Sequence, residues 1–100
     1  MSFNIIGTGS AYPLCSMTNE DLSKILDTSD EWISSRTGIK SRHISTNETM
    51  VDFTLRAAKL ALEDADINGE EIDLIICATI QGDYVTPSLA CVIQKELGAK

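Results

Sequence analysis

TSDEWISSRTGIKSRH, residues Thr28–His43, holds the chain's only Trp, its only His and two of its three Arg residues. Thr28 followed three residues later by Glu31 is the capping-box pattern that starts a helix. Gly38 offers a left-handed stop. The helix so delimited is about ten residues long, and Trp32 and Arg36 stand one turn apart on the same face. An indole is a stacking platform for a nucleobase, and a guanidinium is a fork of donors for a phosphate, so the pair suits a flat anionic ligand. The competing reading is a Trp that anchors a short helix, with Arg36 solvated or paired to Asp30 or Glu31.

Around this stretch the chain reads as alternating elements. Downstream, Ile39–Ile44 (IKSRHI) alternates apolar and polar residues and predicts an edge strand. His43 in it has no Cys, Asp or second His nearby, which favours a hydrogen-bonded structural role over catalysis. Upstream, Thr18–Leu26 predicts a short helix capped by Thr18, with Glu20 and Asp21 in its first turn and Leu22, Ile25 and Leu26 as its apolar face. Residues 2–9 predict a strand running into Gly7-Thr8-Gly9, which marks a bend or a close backbone approach because GxGxxG is not completed.

The longest predicted helix runs from Thr49 to Ile67, capped by Thr49 and Asp52 and stopped by Asn68-Gly69. Its apolar face is wide and rich in Ala57, Ala58, Ala61 and Ala65, which predicts close packing. Ile72–Ile80 (IDLIICATI) is apolar on both faces, the pattern of a strand buried in a parallel sheet. The loop Gln81–Tyr84 follows at its C-terminal end, where open α/β sheets place ligands. Thr86 as cap and Pro87 at the first position then predict a helix that stops at Gly98. The order is α/β, but a strand buried on both faces needs more neighbours than this chain offers, so the chain is expected to be the first part of a longer fold.

A chain of 100 residues with 43% hydrophobic and 23% charged residues is a globular composition without low-complexity tracts. A net charge of −7 argues against nucleic acid or an anionic membrane as partner. No signal peptide or membrane-length apolar run is present, which predicts a cytoplasmic protein. Cys15, Cys77 and Cys91 are scattered, so neither zinc nor a disulfide framework is expected, and no metal site is predicted.

DTSDEWISSRTGIKSRHI closely resembles the N-terminal signature of β-ketoacyl-acyl-carrier-protein synthase III, the initiating condensing enzyme of type II fatty acid synthesis. The resemblance extends to IIGTGSAYP and to ICATIQGDYVTPSLACVIQKELGA, and so covers most of residues 3–99 in family order. It implies a thiolase-like α/β fold, with residues 1–100 as the N-terminal segment of its first half, and a homodimer. It implies that Trp32 stacks on the adenine of coenzyme A, that Arg36 meets the nucleotide phosphates, and that Thr28 and Thr37 supply polar contacts beside them. Thr86 would border the acyl pocket, where the family often has an aromatic residue, and a Thr there would admit longer or branched primers. Its other role would be only to cap the helix.

The implied reaction transfers a short acyl group from acyl-coenzyme A to a cysteine thiolate. Malonyl-acyl-carrier-protein then loses CO₂, and its carbanion attacks the thioester. That needs an activated thiol and donors for the developing oxyanion, and no metal or redox cofactor. The resemblance places the family's Cys, His and Asn beyond these residues. It gives Cys91, in the middle of the predicted helix, a packing position, and Cys77 sits within the predicted buried strand, so no catalytic residue is expected here. Two alternatives stand beside this reading. One is a related acyltransferase of the same fold, of polyketide or hydroxymethylglutaryl type. The other is a nucleotide-binding module or structural fragment without chemistry.

Overall fold

A computed structural model describes residues 2–100. They form two compact units: residues 12–47, and residues 2–11 together with 48–100.

The first unit contains β1 (Ser16–Thr18), α1 (Asn19–Ser23), α2 (Asp30–Thr37) and β2 (Ser41–His43). β1 and β2 pair antiparallel, with Ser16 opposite His43 and Thr18 opposite Ser41. The expected edge strand is therefore present but short. Its partner, Ser16–Thr18, is too brief and too polar to announce itself by periodicity. Tyr12 lies against His43 with ring centroids 4.5 Å apart, which gives His43 a packing role. Thr18 caps α1 as expected: its hydroxyl accepts from the Asp21 N–H, and the Asp21 carboxylate accepts from the Thr18 N–H. The helix ends at Ser23, earlier than Leu26, and Ile25 and Leu26 lie exposed in the turns that follow. The apolar anchor of the unit is Ile33 on the inner face of α2.

The second unit is built on α3 (Met50–Ala65) and α4 (Leu89–Leu97), joined in part by a 3₁₀ turn at Gly69–Glu71. The start of α3 is fully satisfied. Asp52 accepts from the Thr49 N–H at 2.9 Å and the Thr49 hydroxyl accepts from the Asp52 N–H at 3.2 Å. The two N–H groups between them, of Met50 and Val51, donate to the Asp83 carboxylate at 3.1 and 2.9 Å. Every N–H of the first turn thus has an acceptor, which is what a helix start requires. The stop differs from expectation. Asp66 takes the left-handed conformation at φ 56° and the Ile67 N–H reaches back to the Leu62 carbonyl at 3.1 Å. The chain has already turned before Asn68-Gly69. Gly69 serves packing instead, because a Cβ there would collide with the backbone of Leu97.

α4 also starts later than the sequence suggests. Its cap is Ser88, whose hydroxyl accepts from the Cys91 N–H at 3.3 Å. The helix begins at Leu89, so Thr86 is not its cap and Pro87 is not its first residue; both precede Ser88. Gly98 ends the helix at φ 74° as expected. Cys91 lies in the first turn of the helix and is exposed.

Neither residues 2–9 nor residues 72–80 belong to a ladder among the described residues. A strand is defined by hydrogen bonds to a neighbour, and the apolar pattern specifies only the surface it will cover. In 72–80, Ile75 and Cys77 are half-buried while Leu74 and Ile76 are 75% and 82% exposed. The segment therefore alternates, with one face covered by these residues and the other open. Beneath it Ile93 of α4 is 2% exposed, the most enclosed apolar side chain of the unit. Gly7 and Gly9 make the expected close approach. A Cβ on Gly7 would lie 2.6 Å from the Ala61 carbonyl oxygen, and one on Gly9 would lie 2.6 Å from the Ala61 nitrogen. The alanines of α3 and the two glycines together let backbone meet backbone, and the Thr8 N–H donates to Asp64 at 3.0 Å.

Candidate functional site

The residues singled out from sequence fall in both units. Thr28, Trp32, Arg36 and Thr37 belong to the first, and Thr86 to the second.

α2 brings Trp32 and Arg36 together. Its cap is Ser29, whose hydroxyl accepts from the Trp32 N–H at 3.1 Å, and not Thr28. Ser29 has the extended backbone a cap needs, at φ −146° and ψ 159°. The box with Glu31 does not form, because moving the cap by one residue puts Trp32 at the position Glu31 would have taken. The helix runs eight residues and closes on Gly38 at φ 73°.

The Arg36 guanidinium carbon lies 4.5 Å from the centroid of the Trp32 ring. One of its nitrogens donates to the Trp32 carbonyl at 3.4 Å. The pair is a cation–π stack at the surface, worth about 0.5–1 kcal/mol where water has access. Trp32 is 54% exposed, so the indole keeps area to offer a ligand.

Beside it lies an open hollow of about 690 Å³ lined by Leu26, Asp27, Thr28, Ser29 and Trp32. Thr28, displaced as a cap, thus faces the same hollow as the indole. Leu26, Asp27 and Ser29 are lining residues that the sequence reading did not single out. Only their chain position beside Thr28 could have suggested them. The Thr37 hydroxyl is used within the helix end: it donates to the Ile33 carbonyl at 2.7 Å and accepts from the Ile39 N–H at 3.1 Å. Its first role is to close α2, and one acceptor site remains for a ligand.

The carboxyl of Asp30, in the first turn, is held below the ordinary carboxylate value. The Asn19 amide is the largest cause, followed by the Ser34 hydroxyl and Lys40, 3.9 Å away. Asn19, read from sequence only as a first-turn residue of α1, carries no motif that would single it out. A single Asn beside a helix cap is a common solvent-facing residue, yet here it is almost wholly enclosed.

In the second unit, Thr86 is exposed on the loop between residues 80 and 88. That loop is tied to the start of α3 by Asp83. Tyr84 and Val85 beside Thr86 are 64% and 95% exposed. Among the described residues no three His, Cys, Asp or Glu side chains gather as metal ligands, and no helix is long and apolar enough to cross a membrane.

No family model matches the chain. It is 61% identical over 99 residues, 99% of its length, to the β-ketoacyl-[acyl-carrier-protein] synthase III of Clostridium acetobutylicum, of which it covers 30%. It is similar in structure to 3-oxoacyl-[acyl-carrier-protein] synthase III from Aquifex aeolicus, with a TM-score of 0.89 and 52% identity over 96% of this chain and 31% of that one. The priming β-ketosynthase of a polyketide biosynthetic pathway has a TM-score of 0.87 and 37% identity, over 96% of this chain and 29% of that one. The chain thus spans about 30% of the length of the curated relatives it matches. By sequence and by fold the chain is thus similar to the β-ketoacyl-[acyl-carrier-protein] synthases III, and it shares a thiolase-like fold with them along the part it spans.

Proposed function

We propose that these residues form the coenzyme A-facing part of a β-ketoacyl-acyl-carrier-protein synthase III that starts fatty acid synthesis. The observation that carries the reading is the Trp32–Arg36 stack beside the hollow lined by Thr28, in a chain 61% identical over 99% of its length to a β-ketoacyl-[acyl-carrier-protein] synthase III of which it covers 30%. Trp32 stacks on the adenine, Arg36 contacts the phosphates, and Thr28 and Thr37 supply the polar contacts around them. Thr86 borders the acyl pocket and leaves room for longer or branched primers.

In the proposed reaction the acyl group leaves the coenzyme A sulfur for a cysteine thiolate, and coenzyme A departs as the thiol. Malonyl-acyl-carrier-protein loses CO₂, its carbanion attacks the new thioester, and the cysteine leaves as thiolate. Neither Cys15, Cys77 nor Cys91 is assigned that role, and the chain contributes binding surface and no catalytic group. The enzyme acts as a cytoplasmic homodimer on acyl-coenzyme A and malonyl-acyl-carrier-protein, without a metal or redox cofactor. A second reading, a polyketide priming synthase, is supported by the likeness to the priming β-ketosynthase.

The test is a chimera in which residues 1–100 replace the matching part of the Clostridium acetobutylicum relative. It should bind coenzyme A with a change in Trp32 emission, and Arg36→Ala should weaken binding by about tenfold through the lost charge-assisted contacts. It should condense primers with malonyl-acyl-carrier-protein, and Thr86→Phe should narrow the accepted primers towards acetyl-coenzyme A. A chimera that condenses but whose coenzyme A affinity ignores both Trp32→Ala and Arg36→Ala refutes the assignment of this face. Primer selection confined to polyketide starters favours the second reading.

A further inference from the structure

Asn19 has no part in the reading above, yet it is 1% exposed, the most enclosed polar side chain among the described residues. Its Nδ2 donates to Asp30 Oδ1 at 2.8 Å and to the Ile39 carbonyl at 2.7 Å, with Ser34 Oγ at 3.4 Å alongside. Its Oδ1 accepts from the Arg42 guanidinium, whose other nitrogen donates to the Met17 carbonyl at 3.2 Å. Its backbone N–H donates to the Lys40 carbonyl at 3.1 Å. One carboxamide thereby joins α1, the first turn of α2, the link to β2 and β2 itself.

Both hydrogens of the amide and its oxygen are used, and no other side chain of that length meets all three demands. Asp has no donor, Leu has no polar atom, and Gln is a methylene too long. The dependence of α2 on this residue follows from its size. Eight residues are too few to hold a helix alone, and among the described residues of the unit Ile33, at 9% exposure, is the one large apolar side chain that counts as buried. Asp30, one of the partners of Asn19, lies in the same turn as Trp32.

We propose that Asn19 is a positioning residue for the nucleotide face: its amide fixes the first turn of α2, and through it the Trp32–Arg36 stack. The proposal rests on the coenzyme A reading and adds a residue to it that touches no ligand. The low-lying Asp30 carboxyl, whose largest cause is the Asn19 amide, agrees with this geometry.

The test is Asn19→Asp in the chimera, measured as the ratio of its coenzyme A affinity to wild type at each pH, which cancels the ligand's own ionisation. At about pH 8 the new carboxylate faces Asp30 at hydrogen-bond distance, with Arg42 and Lys40 as the surrounding cations, and Ile39 loses its donor. Affinity should fall by about tenfold. As the pH is lowered towards about 5.5, two carboxylates that share a site take up one proton. The donor to Asp30 returns, and the deficit should shrink.

A residue that only fills space gives a ratio independent of pH, and that result overturns the proposal. The double variant Asn19→Asp/Asp30→Asn reverses the donor and removes the like charges, so its ratio should be flat and nearer to wild type. If the single variant does not fold, the double variant decides. Affinity within about threefold of wild type supports the proposal, and a loss as large as that of Trp32→Ala overturns it. If the wild-type chimera does not bind coenzyme A, the nucleotide reading fails by itself. The pH dependence of Trp32 emission in ligand-free Asn19→Asp then decides the positioning role, present supporting it and absent overturning it.

Discussion

Replacing Asp83 by Ala should loosen the start of the longest helix, although Asp83 lies more than thirty residues further along the chain. The Asp83 carboxylate is the acceptor for the N–H groups of both Met50 and Val51, at 3.1 and 2.9 Å. Thr49 and Asp52 serve the other two donors of that turn and cannot reach these. Each bond is charge-assisted, which in a dry site is worth about 1.5–3 kcal/mol. Asp83 is exposed, so water replaces much of each bond in the variant, and the pair reduces to the value of a good helix cap. With the loss of a negative charge at the positive end of the helix included, the expected cost is about 1–2 kcal/mol.

Urea unfolding followed by helical circular dichroism measures it, as a lowered midpoint at unchanged slope. Asp83→Asn keeps one acceptor and should cost roughly half as much. Salt should narrow the gap between the Asn variant and wild type, because part of it is the charge. An Asp83→Ala midpoint equivalent to less than about 0.3 kcal/mol would show that water serves these two N–H groups as well as the carboxylate does, and the reasoning would fail.

Three further outcomes are expected. Gly9→Ala should destabilise by about 1–3 kcal/mol, since its Cβ meets the backbone of α3 on two sides and neither side can rotate away, and the same urea titration reports it. Asp66→Gly should raise stability by up to about 1 kcal/mol, read as a higher urea midpoint, because Asp66 holds φ 56° without the freedom of glycine, and an unchanged or lower midpoint would contradict that account. The carboxyls of Asp21 and Asp52 are held below their ordinary value of 3.8 chiefly by the N–H groups of Thr18 and Thr49, and that of Asp30 chiefly by the Asn19 amide. A folded value below the unfolded one means their contribution is complete above pH 3.8 and is lost as the pH falls below it, so the urea midpoint should drop in that window and drop less steeply in Asp52→Asn.

Local chemistry accounts for what was legible in the sequence. Thr18 caps α1 and Thr49 with Asp52 caps α3 as read, because donor and acceptor lie within one turn. The indole and guanidinium meet because four residues make a turn, whatever lies around them. Gly38 and Gly98 end their helices because left-handed backbone costs glycine nothing extra. Gly7 and Gly9 marked a close approach because only a missing Cβ permits one.

The tertiary structure decided whatever depends on a distant partner. Ser29 displaced Thr28 as the cap of α2, since both residues can cap and the sequence carries no preference strong enough to choose. Ser16–Thr18 became a strand only because Ser41–His43 lies beside it. Asp83 came to serve α3 across a long loop. Ile72–Ile80 carries the apolar surface of a buried strand, but a ladder belongs to two segments and cannot be specified by one. Asn19 became the hub of its unit because three partners from separate elements converge on its amide. Composition and spacing encode the reach of one helical turn, whereas burial and pairing are properties of the folded chain.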